Sequence, residues 1–255
     1  MTRAGQLIRS LLFNTVMYLW LVVLGVICAI PSALSRETAY RCIRFYCSNI
    51  FWLLETLCGL AVEVRGQIPT GDVVVVSKHQ SFLDVLIHCR FLDRPQFVMK
   101  RELGWIPVFG FYAKQIGCAP INRGDRARAT EQLEQGVTRS SDGASQMVIY
   151  PQGTRVPPGQ KRRYKGGAGI LYDRHGKTCV LAATNVGHFW PRRAILRRPG
   201  TAVVEYLSEL PRGLSRQEFM ARIETEIESA SDRLSVEAGL FAGGSGQQGQ
   251  NEQHG

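Results

Sequence analysis

One feature near the N-terminus restricts every other interpretation of this chain. No charged residue occurs from Ser10 to Ser35, and the stretch from Leu11 to Ile30 within it is almost wholly apolar. At about 1.5 Å per residue, a helix of that length can cross the hydrocarbon of a bilayer. The sequence therefore predicts a membrane-associated segment at the start of the chain.

A cleaved signal peptide is the alternative interpretation. Arg3 and Arg9 precede the apolar run, and small residues follow from Ala29 to Ala33. The run is, however, longer than the roughly 7–15 apolar residues of a signal peptide, and a second apolar stretch follows at Phe45 to Val62. Retention of the segment is favoured.

The second stretch is a poor spanning helix by itself, because it is short and carries Glu55 near its middle. Arginines flank the first segment in similar numbers on both sides, so the positive-inside rule sets no orientation. Either one helix crosses and the other returns, or both lie in one leaflet as a re-entrant or in-plane pair. Pro31 and the arginines after it favour the second arrangement. Residues 1–64 are predicted to form this membrane-associated helix pair.

Charge and cysteine content narrow the partners and the compartment. The net charge of +10 and the pI near 9.5 imply an anionic partner. The sequence contains no recognisable nucleic-acid module, so the basic runs Gln160–Lys165 and Trp190–Arg198 are predicted to meet membrane lipid or an acidic acyl donor. Seven cysteines without metal-binding spacing predict neither disulfides nor a metal site. We expect a reducing location, the cytoplasmic face of the inner or plasma membrane.

Short β-branched runs alternate with helical stretches after Val64. The predicted strands are Val73–Ser77, Gln96–Met99, Cys118–Asn122, Met147–Tyr150, Cys179–Thr184 and Thr201–Leu207. The predicted helices are Ser81–Phe91, Ala127–Ser140, Gly167–Arg174 and Ser215 to about Glu237. This alternation predicts an α/β domain at residues 65–240, a mixed sheet flanked by helices. The Gly/Gln-rich tail, residues 241–255, is predicted to be disordered.

Polar residues follow several of these strands directly. His79 comes after the first strand, Arg123 after the third, and Gly153 and Arg155 after the fourth. Ligands in α/β proteins bind at such strand ends. If His79 lies in the turn and Asp84 in the first turn of the next helix, the carboxylate can reach Nδ1 and leave Nε2 as a base. The alternative is a polar turn that only caps a helix.

Four ordered blocks of this chain resemble the glycerophospholipid acyltransferase family. They are HQSFLD with His79 and Asp84, the segment Lys100–Arg123, YPQGTR from Tyr150 to Arg155, and the apolar VLAATNVG around Asn185. The N-terminal helix pair also resembles the membrane motif of that family. The resemblance covers about residues 73–187 in order and spacing.

The resemblance implies a mechanism without an enzyme nucleophile. His79 deprotonates the hydroxyl of 1-acylglycerol-3-phosphate, Asp84 orients the imidazole, and the hydroxyl attacks an acyl thioester to give phosphatidic acid. The donor is acyl-CoA or acyl carrier protein, and no cofactor is expected. The resemblance also implies that Arg123 and Arg155 bind the acceptor phosphate, that Gly153 lets the backbone approach it, and that Lys100 adds positive charge.

One position departs from the family pattern. Gln152 stands where the motif usually has Glu, and an amide can neither ionise nor act as an acid or base. Gln152 is still predicted to lie among the substrate-binding residues, but the acceptor could then be another lysolipid, such as a lyso-ornithine lipid. Two further hypotheses are a catalytically silent lipid-binding protein and a thioester or ester hydrolase.

Overall fold

The computed structural model describes residues 2–122, 131–132 and 144–240. Its helices are α1 (Arg3–Ile27), α2 (Ala29–Leu34), α3 (Arg36–Cys58), α4 (Leu83–Phe91), α5 (Pro107–Gln115), α6 (Gly167–His175) and α7 (Arg216–Glu237). Two short 3₁₀ helices cover Arg101–Trp105 and Val186–His188. The strands are β1 (Leu60–Arg65), β2 (Val73–Ser77), β3 (Pro95–Lys100), β4 (Ala119–Ile121), β5 (Gln146–Ile149), β6 (Thr178–Thr184) and β7 (Gly200–Leu210).

These seven strands form one sheet in the order β1-β7-β6-β2-β5-β3-β4. Strands β6, β2, β5, β3 and β4 are mutually parallel, whereas β7 runs antiparallel to β6 and pairs in parallel with β1. The predicted mixed α/β sheet is therefore confirmed. Because β2, β5, β3 and β4 are parallel neighbours, their carboxyl ends meet at one edge.

Helices cover both faces of the sheet. Val73 and Val75 of β2 pack with α1, α3 and α4 in one apolar cluster. Val74 and Val76 pack with α6 and α7 in another. Every residue of β2 is buried, as a strand between two helical layers requires. The segment after β2 is thus held at the centre of the molecule.

The six predicted strands are present with boundaries shifted by at most three residues, but β1 and α5 were not predicted. The second apolar stretch does not continue as a helix to Val62, which corrects the prediction. Helix α3 ends at Cys58, and Gly59 adopts the left-handed conformation that ends helices (φ +66°). The chain then enters β1, which lies on both sides of the domain boundary predicted after residue 64. Of the helix predicted at Ala127–Ser140, only residues 131–132 are described, and they are helical; the tail 241–255 also lies outside the described residues.

The first three helices form a hairpin against the sheet. Helix α1 is the one helix of the described residues long and apolar enough to cross a membrane. The short α2 reverses the chain, and the Ser35 hydroxyl caps α3 by accepting from the Thr38 amide. Gln6, Ser10, Phe13 and Met17 of α1 are buried, so one face of this helix packs on the domain.

Candidate active site

His79 and Asp84 make the contact predicted from their spacing. His79 lies in the turn after β2, and Asp84 lies in the first turn of α4. His79 Nδ1 and Asp84 Oδ1 are 2.9 Å apart. Asp84 Oδ2 accepts from the amides of Gln80 and Ser81, at 2.8 Å each. With an ionised Asp84, Nδ1 carries the proton and donates it, and Nε2 is left with a free lone pair.

Tyr150 supports the imidazole from the next strand end. Its ring stacks on that of His79, with centroids 4.0 Å apart and planes 21° apart. Burial, and then the negative charge of Asp84, raise the pKa of Tyr150 well above its ordinary value. The phenol therefore stays neutral and offers His79 a flat, uncharged surface.

The imidazole opens into an apolar pocket with a volume of about 190 Å³. Residues of α1, α3, α4, α5 and β3 line this pocket, and most of them are aliphatic or aromatic. They include Leu24, Ile43, Tyr46, Leu86, Phe97, Val108, Phe109 and Tyr112. His79 and Lys100 are polar groups in its lining. The site thus places the imidazole of His79 at a cavity whose walls are mainly apolar.

Cationic side chains lie at the same edge of the sheet. Lys100 ends β3, where its ammonium pairs with Glu102 at 3.3 Å, and Arg155 lies in the loop after β5. Gly153 has φ +68°, and a Cβ atom built there would lie 3.1 Å from Lys165 Nζ. The left-handed backbone therefore favours glycine at this position, and a side chain there would crowd Lys165. Arg123, two residues after β4, lies outside the described residues.

Gln152 lies in the interior, only 1% exposed, and is absent from the pocket lining. Its amide nitrogen donates to Glu228 Oε1 of α7 at 3.3 Å. Glu228 also pairs with Lys78, whose side chain is 2% exposed. The structure thus brings His79, Asp84, Lys100, Gly153 and Arg155 to one edge of the sheet and directs Gln152 away from the pocket.

Two contacts join the loops of the site. The Val156 amide donates to the His79 carbonyl at 2.8 Å, and the Gly187 amide donates to Gln80 Oε1 at 2.9 Å. A Cβ atom at Gly187 would lie 2.8 Å from both Gln80 Cβ and Pro158 Cδ. The last sequence block, VLAATNVG, therefore acts by close packing beside the His79 turn.

Sequence patterns did not single out Tyr150 or Glu228, and they marked Lys165 only as the end of the basic run Gln160–Lys165. Tyr150 is the first residue of the YPQGTR block, so its position after a strand was an available signal. Glu228 is one acidic residue among several on α7, and no local pattern distinguishes it. Its contacts depend on how α7 packs on the sheet.

The comparisons with known proteins agree with this geometry. The family model described as Acyltransferase matches residues 61–186. A 1-acyl-sn-glycerol-3-phosphate acyltransferase from Pseudomonas aeruginosa is 30% identical over 203 residues, which are 78% of this chain and 79% of the relative. A protein of the same name from Helicobacter pylori is 31% identical over 136 residues, 52% of this chain and 55% of that one.

The fold is also found in a solved structure. The crystal structure of the 1-acyl-sn-glycerophosphate acyltransferase PlsC from Thermotoga maritima matches with a TM-score of 0.77. The match covers 92% of this chain and 98% of that protein at 22% identity, so it speaks for the fold alone. The extent of the sequence match to the Pseudomonas relative, together with the acyltransferase match to residues 61–186, shows that this chain belongs to the glycerophospholipid acyltransferase family and is an acyltransferase.

Proposed function

We propose that this protein transfers a fatty acyl group from an acyl thioester to the free hydroxyl of 1-acylglycerol-3-phosphate, giving phosphatidic acid. The observation that carries the proposal is the His79–Asp84 pair, which opens into an apolar pocket at a cationic sheet edge. The names of the relatives support the same acceptor. The donor is acyl-CoA or acyl carrier protein, each of which presents a thioester.

In the proposed reaction, His79 Nε2 takes the proton of the acceptor hydroxyl as that oxygen attacks the thioester carbonyl. The bond from carbon to sulfur breaks, and the thiolate leaves with the proton returned from the imidazolium. Asp84 stabilises the imidazolium while it exists. A positioned base of this kind contributes about 10²–10⁴ in rate. No side-chain nucleophile is needed, because the acceptor supplies the attacking oxygen.

The pocket is proposed to hold the acyl chain, because its walls are apolar and His79 lies in its lining. Arg155 and Arg123 are proposed to bind the acceptor phosphate, since guanidinium groups match phosphate oxygens well, and Lys100 is proposed to add positive charge beside them. Gly153 lets Lys165 lie across the loop, so Lys165 is added to this group. Gln152 acts indirectly in this proposal, through its contact with Glu228.

We further propose that α1 and α3 both lie in the cytoplasmic leaflet of the membrane and do not cross it. Helix α1 contacts the domain along most of its length, from Gln6, which donates to the carbonyls of Cys58 and Arg197, to Gly25, which packs on Val108. A helix held to the domain over that distance is better suited to lie along a membrane surface than to leave the domain and cross. Its outer side carries exposed Leu12, Leu19 and Val26.

The test is acyl transfer by purified protein in detergent or bilayers, with labelled acyl-CoA or acyl carrier protein and lysophosphatidic acid. Wild-type protein is expected to form phosphatidic acid, and a folded His79→Ala variant is not. His188→Ala is the matched control, because His188 bonds to Ser235 and does not line the pocket. Free fatty acid as the main product, at a rate independent of lysolipid, would show a hydrolase. Transfer only to another lysolipid, such as a lyso-ornithine lipid, would overturn the proposed acceptor.

A further inference from the structure

Lys78 immediately precedes His79, yet its ammonium is directed away from the pocket. Its side chain reaches α7, on the face of the sheet opposite α4, and binds both carboxylate oxygens of Glu228. Lys78 is 2% exposed, and the Glu228 side chain is 21% exposed. Burial of an unpaired ammonium is costly, so Lys78 requires an anionic partner there.

The same carboxylate holds the loop after β5. Glu228 Oε1 accepts from the Gln152 amide at 3.3 Å and from the Tyr164 hydroxyl at 2.9 Å. Gln152 is three residues before Arg155, and Tyr164 is next to Lys165. One carboxylate on α7 therefore binds the residue before His79 and a residue near each end of the loop between β5 and α6.

We propose that Glu228 is a positioning residue of the active site, and that Gln152 carries an amide because α7 supplies the carboxylate that the family motif places in the loop. The inference rests on the proposed roles of His79 and Arg155. Glu228 touches neither substrate nor reacting atoms; it holds the two loops that do.

The amide at position 152 follows from the geometry. Gln152 Nε2 has protons to donate to Glu228 Oε1 at 3.3 Å. A carboxylate in its place would bring a second negative charge to a buried site that has one lysine, and like charges at that distance repel. Positions 152 and 228 are thus expected to accommodate one carboxylate between them, on either element.

A double-mutant cycle tests this expectation. The variants are Glu228→Gln, Gln152→Glu and the double change, with Glu226→Gln as control. Glu226 is on the same helix and makes a surface pair with Arg222. Each protein is assayed for kcat and for KM toward lysophosphatidic acid, well below its unfolding temperature, and thermal unfolding is followed in the same detergent.

We expect each single change to lower kcat/KM by about tenfold or more, because small displacements of catalytic loops are costly. The double variant is expected to regain activity to within about threefold of wild type, since Lys78 again has one carboxylate partner. The control is expected to match wild type. Loss of activity in each single variant while it is still folded, and its return in the double variant, is the result that a role in stability alone does not produce.

Wild-type kinetics in Glu228→Gln would overturn the proposal, as would a double variant no better than the combined single changes. If Glu228→Gln fails to fold, Gln152→Glu decides, because normal turnover in that variant would show that two carboxylates fit. If wild-type protein transfers no acyl group, the proposed function fails instead. The unfolding temperatures of the single and double variants then still decide whether positions 152 and 228 share one carboxylate.

Discussion

At the scale of single residues, Asp84 determines the proton position on His79. Its carboxylate accepts from the imidazole and from the amides of Gln80 and Ser81, and it is fully buried. Asp84→Asn keeps the volume but replaces one acceptor oxygen with a donor group. The new amide nitrogen either faces the Nδ1 proton or faces the backbone amides of Gln80 and Ser81 and leaves both without their acceptor.

We therefore expect Asp84→Asn to lower kcat by about 10²–10⁴ while KM for lysophosphatidic acid changes little. The measurement is steady-state acyl transfer, with circular dichroism to show that the variant is folded. A variant that retains more than half of the wild-type kcat would remove the carboxylate from the mechanism.

A second histidine, His88, is expected to affect the stability of the protein and its dependence on pH. His88 is fully buried, with Nε2 2.9 Å from Ser77 Oγ and Nδ1 2.9 Å from Tyr206 Oη. Burial lowers the pKa of His88 from 6.5 to about 4, with the charge of Asp84 opposing and that of His79 adding to the shift. The folded state thus keeps a neutral imidazole where the unfolded state takes a proton.

The unfolded state binds the extra proton, so stability present above about pH 6.5 is lost as the pH falls toward about 4. The full shift corresponds to roughly 3 kcal/mol. We expect the Tm of wild-type protein to fall over that range, and the Tm of His88→Gln to fall less. Equal slopes of Tm against pH for the two proteins would contradict this origin.

At the scale of elements, helix α1 acts as one wall of the pocket and is held at two places. Near its middle, the buried Arg197 donates to Asn14 Oδ1 at 2.6 Å and lies 3.9 Å over the Trp190 ring. Near its end, a Cβ atom at Gly25 would lie 2.4 Å from Val108 Cγ1 and 3.6 Å from Val108 Cβ. The absence of a side chain at Gly25 therefore sets the separation of α1 and α5.

Gly25→Ala is expected to push the two helices apart and destabilise the protein by about 1–3 kcal/mol, as overpacking does. Val108→Ala removes the clashing methyl group, so the double variant is expected to recover most of the lost Tm. Acyl transfer with donors of different chain length should change in the single variant and return toward wild type in the double. If the preference for chain length is unchanged in both variants, the position of α1 does not determine which acyl chains are accepted.

Prediction from sequence succeeded where a local pattern decides the structure. β2 and its neighbours are β-branched runs that must be buried, and the His79–Asp84 contact follows from a turn leading into a helix. β1 was missed because Leu60–Val62 continues an apolar helical stretch, and only Gly59 and the pairing with β7 separate the two. The Lys78–Glu228 pair joins residues 150 positions apart, so it depends on how α7 packs.

At the scale of the whole molecule, large apolar side chains are exposed both on α1 and in the 3₁₀ helix beside the pocket. Trp105 is 70% exposed, follows pocket-lining Leu103 in a 3₁₀ helix, and has the Arg101 guanidinium 5.9 Å from its ring centroid. Ile106 beside it is 49% exposed. An aromatic ring next to an arginine is typical of side chains at the level of lipid headgroups.

Trp105→Ser is accordingly expected to weaken binding to phosphatidylcholine vesicles containing phosphatidylglycerol by about tenfold, because burying a large apolar side chain contributes about 1.5–3 kcal/mol. Val236→Ser is the matched control, since Val236 is 47% exposed but lies on α7, on the other side of the sheet. Sedimentation with vesicles measures the partition of each protein, and thermal unfolding in detergent checks that neither variant is destabilised. If the Trp105 and Val236 variants bind alike, the 3₁₀ helix beside the pocket does not enter the headgroup layer, and α1 and α3 alone would have to hold the pocket at the membrane.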